Sequence, residues 1–465
     1  MSVYDTVVIG AGPGGYVAAI RSAQLGLKTA VVEKEALGGT CLNWGCIPSK
    51  TLLTSAELYL KASQMEQFGI TFSGELKCDW QKIVQRKTRI LQTLRNGIRF
   101  LLKKNGVELI TGMGLLGNSN TVCVRDSDGE MGEYEAKKII LATGSKPARI
   151  PAFNIDGDRI LTTNEIFDIP SLPPSMLVVG GGVNGCEFAT MLSAFGVRVT
   201  LIEMLPAILQ LTPLPETVTR KVAAQLKKQG VEIVTGAKIA SLRVEDGHVA
   251  AELEAGVSYT AEKALVTIGR ERMTTGIGLE NAGLETGRGG CITVNEFMQT
   301  ANPDIYAIGD ITPHIQLAHL ASRQGILAVE HAYGKEGIEQ IDYDAVPACI
   351  FTHKPVAYVG RSEAEHTQCG TDCRSVEFQY RSLGIGHVKD ETDGCVWVTA
   401  EKGTERILSG GVYGYGAPEL VHTIAAAVAN SLTVTELNRV VYAHPTFAET
   451  IGESLEALHF KAIHA

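Results

Sequence analysis

The sequence predicts an α/β protein built on two copies of one strand–turn–helix–strand unit, followed by a C-terminal α+β region. Three observations predict it. The turn GAGPGG follows the apolar run from Tyr4 to Ile9 and opens the helical stretch YVAAIRSAQLG. A second glycine-rich turn, GGGVNG, follows MLVV in the same way. Each copy then reaches a strand closed by a glutamate, Glu33 or Glu203, 23 positions after its first glycine (33 − 10 and 203 − 180).

Each element has a local reason. Short β-branched apolar runs bounded by turns read as buried strands. Gly10, Gly12 and Gly15, and again Gly180, Gly182 and Gly185, fit G-x-G-x-x-G between a strand and a helix, the context that makes the motif a dinucleotide fingerprint. Glycines let the backbone approach a pyrophosphate, and the helix N-terminus offers free N–H groups and partial positive charge. Ala19 and Ala189 occupy matching places, where a small side chain lets helix sit close on sheet. Two Rossmann-like dinucleotide-binding domains follow. Glu33 and Glu203 are placed to accept from a ribose. Glu203 repels a 2′-phosphate, and no arginine follows it in EMLPAILQ, so the second copy favours NAD over NADP. The pattern alone leaves FAD and NAD open at the first copy. Two further strand ends belong to the same scheme. KKIILATGSKP ends in Thr143, Gly144 and Ser145, and TANPDIYAIGDI ends at Gly309 and Asp310, whose carboxylate suits a sugar-like hydroxyl.

The 465 residues suggest about two to four domains. A net charge of −9 gives no reason to expect nucleic acid or an anionic membrane as partner. No run of apolar residues is long enough to span a bilayer, and MSVYDTVVIG starts directly on a strand pattern, so the expected location is cytoplasmic. Thiols stay reduced there, and a close cysteine pair is more often catalytic or metal-binding than structural.

Such a pair stands in GGTCLNWGCIPSK, where Cys41 and Cys46 flank four residues. In a regular helix, residues five apart lie roughly 8–9 Å from each other, whereas a disulfide needs about 4.4–6.8 Å between Cα atoms. If the two bond, at least one lies in an irregular turn, which Gly38, Gly39 and Gly45 permit and Pro48 favours. Zinc and two inert thiols are the other readings, though no second Cys or His pair stands nearby to complete a tetrahedral site. Cys369 and Cys373 read as ordinary thiols.

The cysteine block, the two glycine loops, ATGS, YAIGD and AHPTFAE occur together in the order found in the flavoprotein pyridine nucleotide-disulfide oxidoreductases. The chain resembles that family throughout, and most of all its branch that reoxidises dihydrolipoyl groups. The resemblance implies FAD at the first fingerprint, NAD at the second, and a redox disulfide between Cys41 and Cys46. Cys41 would exchange with substrate and Cys46 would lie next to the flavin. Lys50 would sit near flavin N5, paired with Glu187. Gly114, Gln316, Leu317, Ala318 and His319 would line the FAD site, and Ile239 and Gly269 the NAD site. Thiol–disulfide exchange needs thiolate, and a free thiol is mostly protonated at neutral pH. His444 would be the general base, oriented by Glu449. In the family this pair reaches the disulfide of the other subunit, which implies a homodimer.

The implied layout is an FAD domain over 1–146, an NAD domain over 147–270, a central segment over 271–344 and a dimerisation domain over 345–465. The implied partners are lipoyl domains of 2-oxo acid dehydrogenase complexes or the glycine-cleavage H protein. Glutathione-type and mercuric-type reductases share the cysteine block. Glu203 speaks against the NADPH of the first, and SLEALHFKAIHA lacks the cysteine pair of the second. Trp44, Tyr442 and IGRERMTTG depart from the family's commoner residues without removing a mechanistic group.

Overall fold

A computed structural model describes residues 2–459 and 461–464 of the chain. They fold into two compact units: the described residues up to Ser55, with Lys77–Leu172 and Ile268–Ile341, form the first, and Ala56–Leu76, Pro173–Thr267 and the described residues from Asp342 onward the second.

The chain opens with β1 (Ser2–Ile9), α1 (Pro13–Gln24) and β2 (Thr29–Glu33), then α2 (Gly39–Trp44), α3 (Cys46–Ser63) and α4 (Trp80–Lys104). Next come β3 (Glu108–Thr111), β4 (Met113–Leu116), β5 (Thr121–Arg125), β6 (Met131–Leu141), β7 (Ser145–Pro147) and the short β8 (Ile160–Leu161). The second glycine turn joins β9 (Ser175–Val179) to α5 (Val183–Ala194) and β10 (Arg198–Ile202). It is followed by α6 (Glu216–Lys228), β11 (Glu232–Val234), β12 (Ile239–Glu245), β13 (His248–Leu253), β14 (Ser258–Ala261) and β15 (Lys263–Val266). The first unit resumes with β16 (Arg270–Arg272), β17 (Ile305–Ala307) and α7 (Ala318–Ala332). The second ends with β18 (Ala348–Ile350), β19 (Val356–Val359), α8 (Glu363–Gln368), β20 (Cys373–Gln379) and α9 (Gly384–Val388), then β21 (Cys395–Glu401), β22 (Ile407–Tyr413), α10 (Ala417–Ala429), α11 (Val434–Leu437) and α12 (Glu449–His459).

The first unit is organised by one sheet of order β3-β2-β1-β6-β5-β4, with β17 on the free side of β6. Strands β3, β2, β1, β6 and β17 run parallel, and β4–β5–β6 add an antiparallel meander that the fingerprint did not announce. Side chains alternate across a strand, so a sheet covered on both faces needs continuous apolar runs. Val7 and Ile9 of β1, with Ile139 and Leu141 of β6, enter one core, while Val8 and Ile140 enter the other. On the second face α1 and α7 cross at backbone contact. A Cβ at Gly325 would lie 2.6 Å from the Gly14 carbonyl oxygen.

The second unit holds the parallel series β11-β10-β9-β15 and the antiparallel meander β12-β13-β14. Its C-terminal part is an antiparallel sheet of order β18-β19-β22-β21-β20. Helices α10 and α12 bury Val421, Ile424, Ile451 and Leu455 with Phe378, Val396 and Val398 of that sheet. Each such burial contributes about 1.5–3 kcal/mol. The expected α/β class with a C-terminal α+β domain is the observed architecture.

Gly325→Ala tests the α1–α7 crossing. The added methyl group has backbone to displace, so the variant should lose about 1–3 kcal/mol of stability, read as a lower denaturant midpoint.

Candidate active site

The two glycine turns repeat in detail. Gly10 and Gly180 take φ of 102° and 103°, in the left-handed region. A Cβ at Gly15 would lie 1.8 Å from the Gly10 carbonyl oxygen, and one at Gly185 equally close to that of Gly180. These four positions are glycine because the protein's own backbone occupies the space. The middle glycines differ. Gly12 and Gly182 have ordinary φ of −68° and −74°. A Cβ at Gly182 would meet nothing within 4 Å, and one at Gly12 nothing nearer than 3.9 Å. Neither strain nor packing requires glycine there. What the missing side chain leaves is open space at the first turns of α1 and α5, whose N–H groups the helices themselves leave without acceptors. That space and those donors fit a dinucleotide pyrophosphate.

The two glutamates brace their turns. Glu33 Oε2 accepts from the Ala11 N–H at 2.8 Å and Oε1 from the Glu35 N–H at 2.9 Å. Glu203 accepts in the same way from Gly181 and Leu205. Each oxygen retains a lone pair for a ribose hydroxyl. A cavity of about 290 Å³ opens beside Glu33, lined by Leu37, Arg95, Arg99, Leu109 and Thr111 among others.

The cysteine turn leans on the first glycine loop. Gly38 and Gly39 have φ of 92° and 56°, and a Cβ at Gly39 would come within 2.7 Å of Gly12 Cα. α2 starts at that contact and carries Cys41. Gly45, at φ −142° and ψ −108°, breaks the helix, and Cys46 begins α3. Pro48 is the third residue of α3, where a missing N–H costs no intrahelical bond. Asn43 ties the insert down, donating to the Leu37 and Gly39 carbonyls at 3.1 and 2.8 Å and accepting from Arg95.

Both sulfurs are thiols here. The Cys41 thiol is hydrogen-bonded to Cys46, which together with burial and the charge on Cys46 raises its pKa far above the ordinary range; the charge on Lys50 opposes the rise. Cys46 is thus the hydrogen-bonding partner of the Cys41 thiol across the Gly45 break.

The strand ends converge on this turn. Thr143 Oγ1 donates to the Met273 carbonyl at 2.6 Å, and Gly144, with φ of 74°, accepts from the Met273 N–H. Ser145 Oγ donates to Asp310, and the Gln316 amide reaches the Asp310 carbonyl at 3.4 Å. Leu317 caps α7, so Ala318 and His319 stand in its first turn. Gly114 on β4 packs against the sheet, its absent Cβ 2.8 Å from Ile9 Cγ2. Gly269 has φ of 115° and accepts from the Ala148 N–H at 3.0 Å. Sequence reasoning missed Arg270 and Thr40. Arg270 donates to the Ser145 side chain and carbonyl, both at 2.7 Å, and to Thr40 Oγ1 at 3.3 Å. An arginine directly after the glycine that precedes β16 was the available signal.

In the second unit Glu187 is buried on α5 and accepts from the Phe351 N–H at 2.9 Å. Ile239 begins β12. His444 Nδ1 lies 2.7 Å from Glu449 Oε1, and the Thr446 N–H holds Glu449 Oε2 at 2.9 Å. With Nδ1–H donating to the carboxylate, Nε2 is the free base, on a side chain 77 % exposed. Among the described residues no cluster of three or more His, Cys, Asp or Glu side chains suits a metal ion, and no helix is long and apolar enough to cross a membrane.

A dithiol set against a dinucleotide loop, a second such loop and a carboxylate-held histidine are the parts of a flavin-linked disulfide reductase. The chain belongs to the pyridine nucleotide-disulphide oxidoreductase family, whose model matches residues 4–325, with the family's dimerisation domain matching residues 346–455. It is 41% identical over 474 residues to a dihydrolipoyl dehydrogenase of Bacillus subtilis, covering 99% of each chain. It is 36% identical to a mitochondrial dihydrolipoyl dehydrogenase of Sus scrofa, over 99% of this chain and 92% of that one. Among solved structures, LpdA from Mycobacterium tuberculosis superposes with a TM-score of 0.91 at 29% identity, over 98% of this chain and all of that one. The flavoprotein disulfide reductase RclA from Escherichia coli, at 24% identity and TM-score 0.88 over 98% of this chain and all of that one, shares the fold. Membership implies binding of FAD and of NAD or NADP, and the dimerisation domain supports a homodimer.

Cys186 offers a contrast that can be measured. It is fully buried on α5, and burial with the charges of Glu187 and Glu203 pushes its thiol well up. Native-state alkylation followed by mass spectrometry should leave Cys186 unmodified until the protein unfolds.

Proposed function

We propose that the protein is a dihydrolipoyl dehydrogenase: it oxidises protein-bound dihydrolipoyl groups through a Cys41–Cys46 disulfide and FAD and reduces NAD+. The sulfur contact between Cys41 and Cys46 across the Gly45 break carries the reading. The relatives' names favour this substrate, and Glu203, already holding two backbone N–H groups at the end of β10, favours NAD over a 2′-phosphorylated nucleotide.

The residues divide the work as follows. His444 Nε2 of one subunit takes the proton from a dihydrolipoyl thiol. Glu449 holds the ring tautomer and stabilises the imidazolium. The substrate thiolate attacks Cys41 Sγ in the oxidised pair, the Cys41–Cys46 bond breaks, and Cys46 leaves as thiolate. The second substrate thiol attacks the substrate sulfur of the mixed disulfide and its proton passes to the departing Cys41 sulfur, so that the lipoyl disulfide closes and Cys41 is released as thiol. Bound FAD supplies the two-electron relay that restores the cysteine disulfide and delivers a hydride to NAD+. Gly10, Gly12, Gly15, Glu33, Gly114, the Thr143–Ser145 turn, Asp310 and residues 316–319 would hold FAD. Gly180, Gly182, Gly185, Glu203, Ile239 and Gly269 would hold NAD. Lys50 and Glu187 would meet as a pair near flavin N5. The layout assigned to this is 1–146 and 271–344 for FAD, 147–270 for NAD and 345–465 for the dimer. The partners would be lipoyl domains or the glycine-cleavage H protein, in the cytoplasm.

The deciding assay sets dihydrolipoamide with NAD+ beside glutathione disulfide with NADPH. High turnover is expected only with the first pair, and turnover confined to the second would overturn the substrate assignment. His444→Gln should lower kcat about 10²–10⁴-fold in the first assay, the usual worth of a general base. Glu449→Gln should cost less, since the base itself remains.

A further inference from the structure

Arg270 places a cation at the redox turn without spending it on a direct carboxylate contact. It stands on β16, paired in register with Pro147 of β7. Its Nε donates to Ser145 Oγ at 2.7 Å, and its Nη2 donates to the Ser145 carbonyl at 2.7 Å and to Thr40 Oγ1 at 3.3 Å. All three acceptors are hydroxyl or carbonyl oxygens. Thr40 is the residue before Cys41, in the first turn of α2. A Cβ at Gly45 would lie 3.1 Å from the Thr40 carbonyl oxygen, so Thr40 also borders the helix break that lets Cys46 return to Cys41. One guanidinium thus grips both the start of the redox helix and the Thr143–Ser145 turn. Ser145 passes the grip on to Asp310.

The electrostatics act in the same direction. Burial pulls the Arg270 pKa down, while Asp310 and Cys46 favour its charged form. An interaction between two charges is mutual, so a guanidinium stabilised by the Cys46 thiolate stabilises that thiolate equally. Asp310 also draws on the Arg270 charge, and Lys50 adds a second positive charge near Cys41.

We propose that Arg270 is a positioning residue for the redox pair: it anchors Thr40 against the Thr143–Ser145 turn and holds a fixed positive charge within electrostatic reach of Cys46, so that Cys46 is the sulfur that ionises. The proposal rests on reading Cys41 and Cys46 as the redox pair. It extends that reading by naming what fixes the order in which they lose protons.

The test follows alkylation of Cys46 by iodoacetamide across pH in the flavin-loaded enzyme, scored by mass spectrometry in a Cys41→Ser background. Only one reactive sulfur then titrates at the turn. Arg270→Met should raise the midpoint by about one pH unit, a roughly tenfold slower labelling at neutral pH, and Arg270→Lys should restore most of it. A midpoint unchanged in Arg270→Met overturns the proposal, because a merely structural arginine would leave the titration in place. If Arg270→Met does not fold, Arg270→Lys is compared with Arg270→Gln. A higher midpoint in the glutamine variant supports the proposal, and equal midpoints overturn it. The readout involves no substrate, so failure of the dihydrolipoamide assay would leave its result standing.

Discussion

The first unit depends on backbone lying against backbone at one glycine turn. Gly15 rests on the Gly10 carbonyl, which brings the start of α1 over the end of β1, and Gly39 rests on Gly12, which brings the start of α2 to the same place. Any side chain at Gly10, Gly15 or Gly39 would push these elements apart. The consequence is chemical: the helix end that suits a pyrophosphate and the helix that carries Cys41 share one point of contact. A cofactor seated by the turn and a sulfur carried by α2 are held by the same few atoms.

At the cysteine turn the governing quantity is where a single negative charge rests. Two thiols in contact cannot both ionise cheaply in a half-buried site, since the second charge would form beside the first without water to screen it. The hydrogen bond from Cys41 to Cys46 favours keeping the proton on Cys41. Gly45 makes the contact possible by breaking the helix, and Asn43 keeps the break in one conformation through three hydrogen bonds. The chemistry of a five-residue separation is thus decided by a non-helical residue rather than by the cysteines.

The second unit repeats the glycine turn and adds a histidine paired with a carboxylate. Glu203 holds its turn as Glu33 does, and Gly182 leaves the mouth of α5 clear as Gly12 leaves that of α1. The C-terminal sheet contributes something different. It buries one side of α12 and so fixes Glu449 at that helix's first residue, where the carboxylate meets both the Thr446 N–H and the His444 ring. The histidine stays exposed while its carboxylate partner is held.

By itself the sequence determined the features that are local. Glycine spacing marked both cradles because a dinucleotide loop allows few residue types at fixed intervals. The strands were legible because a sheet covered on both faces leaves unbroken apolar runs. Only the tertiary structure decided what joins distant positions. It set Arg270 against Thr40, 230 residues away, and Arg95 against Asn43. It also turned Glu33 and Glu203 back onto their own loops. Polar partners chosen across such separations leave no period in the chain, because each depends on how strands and helices pack rather than on what precedes or follows in sequence.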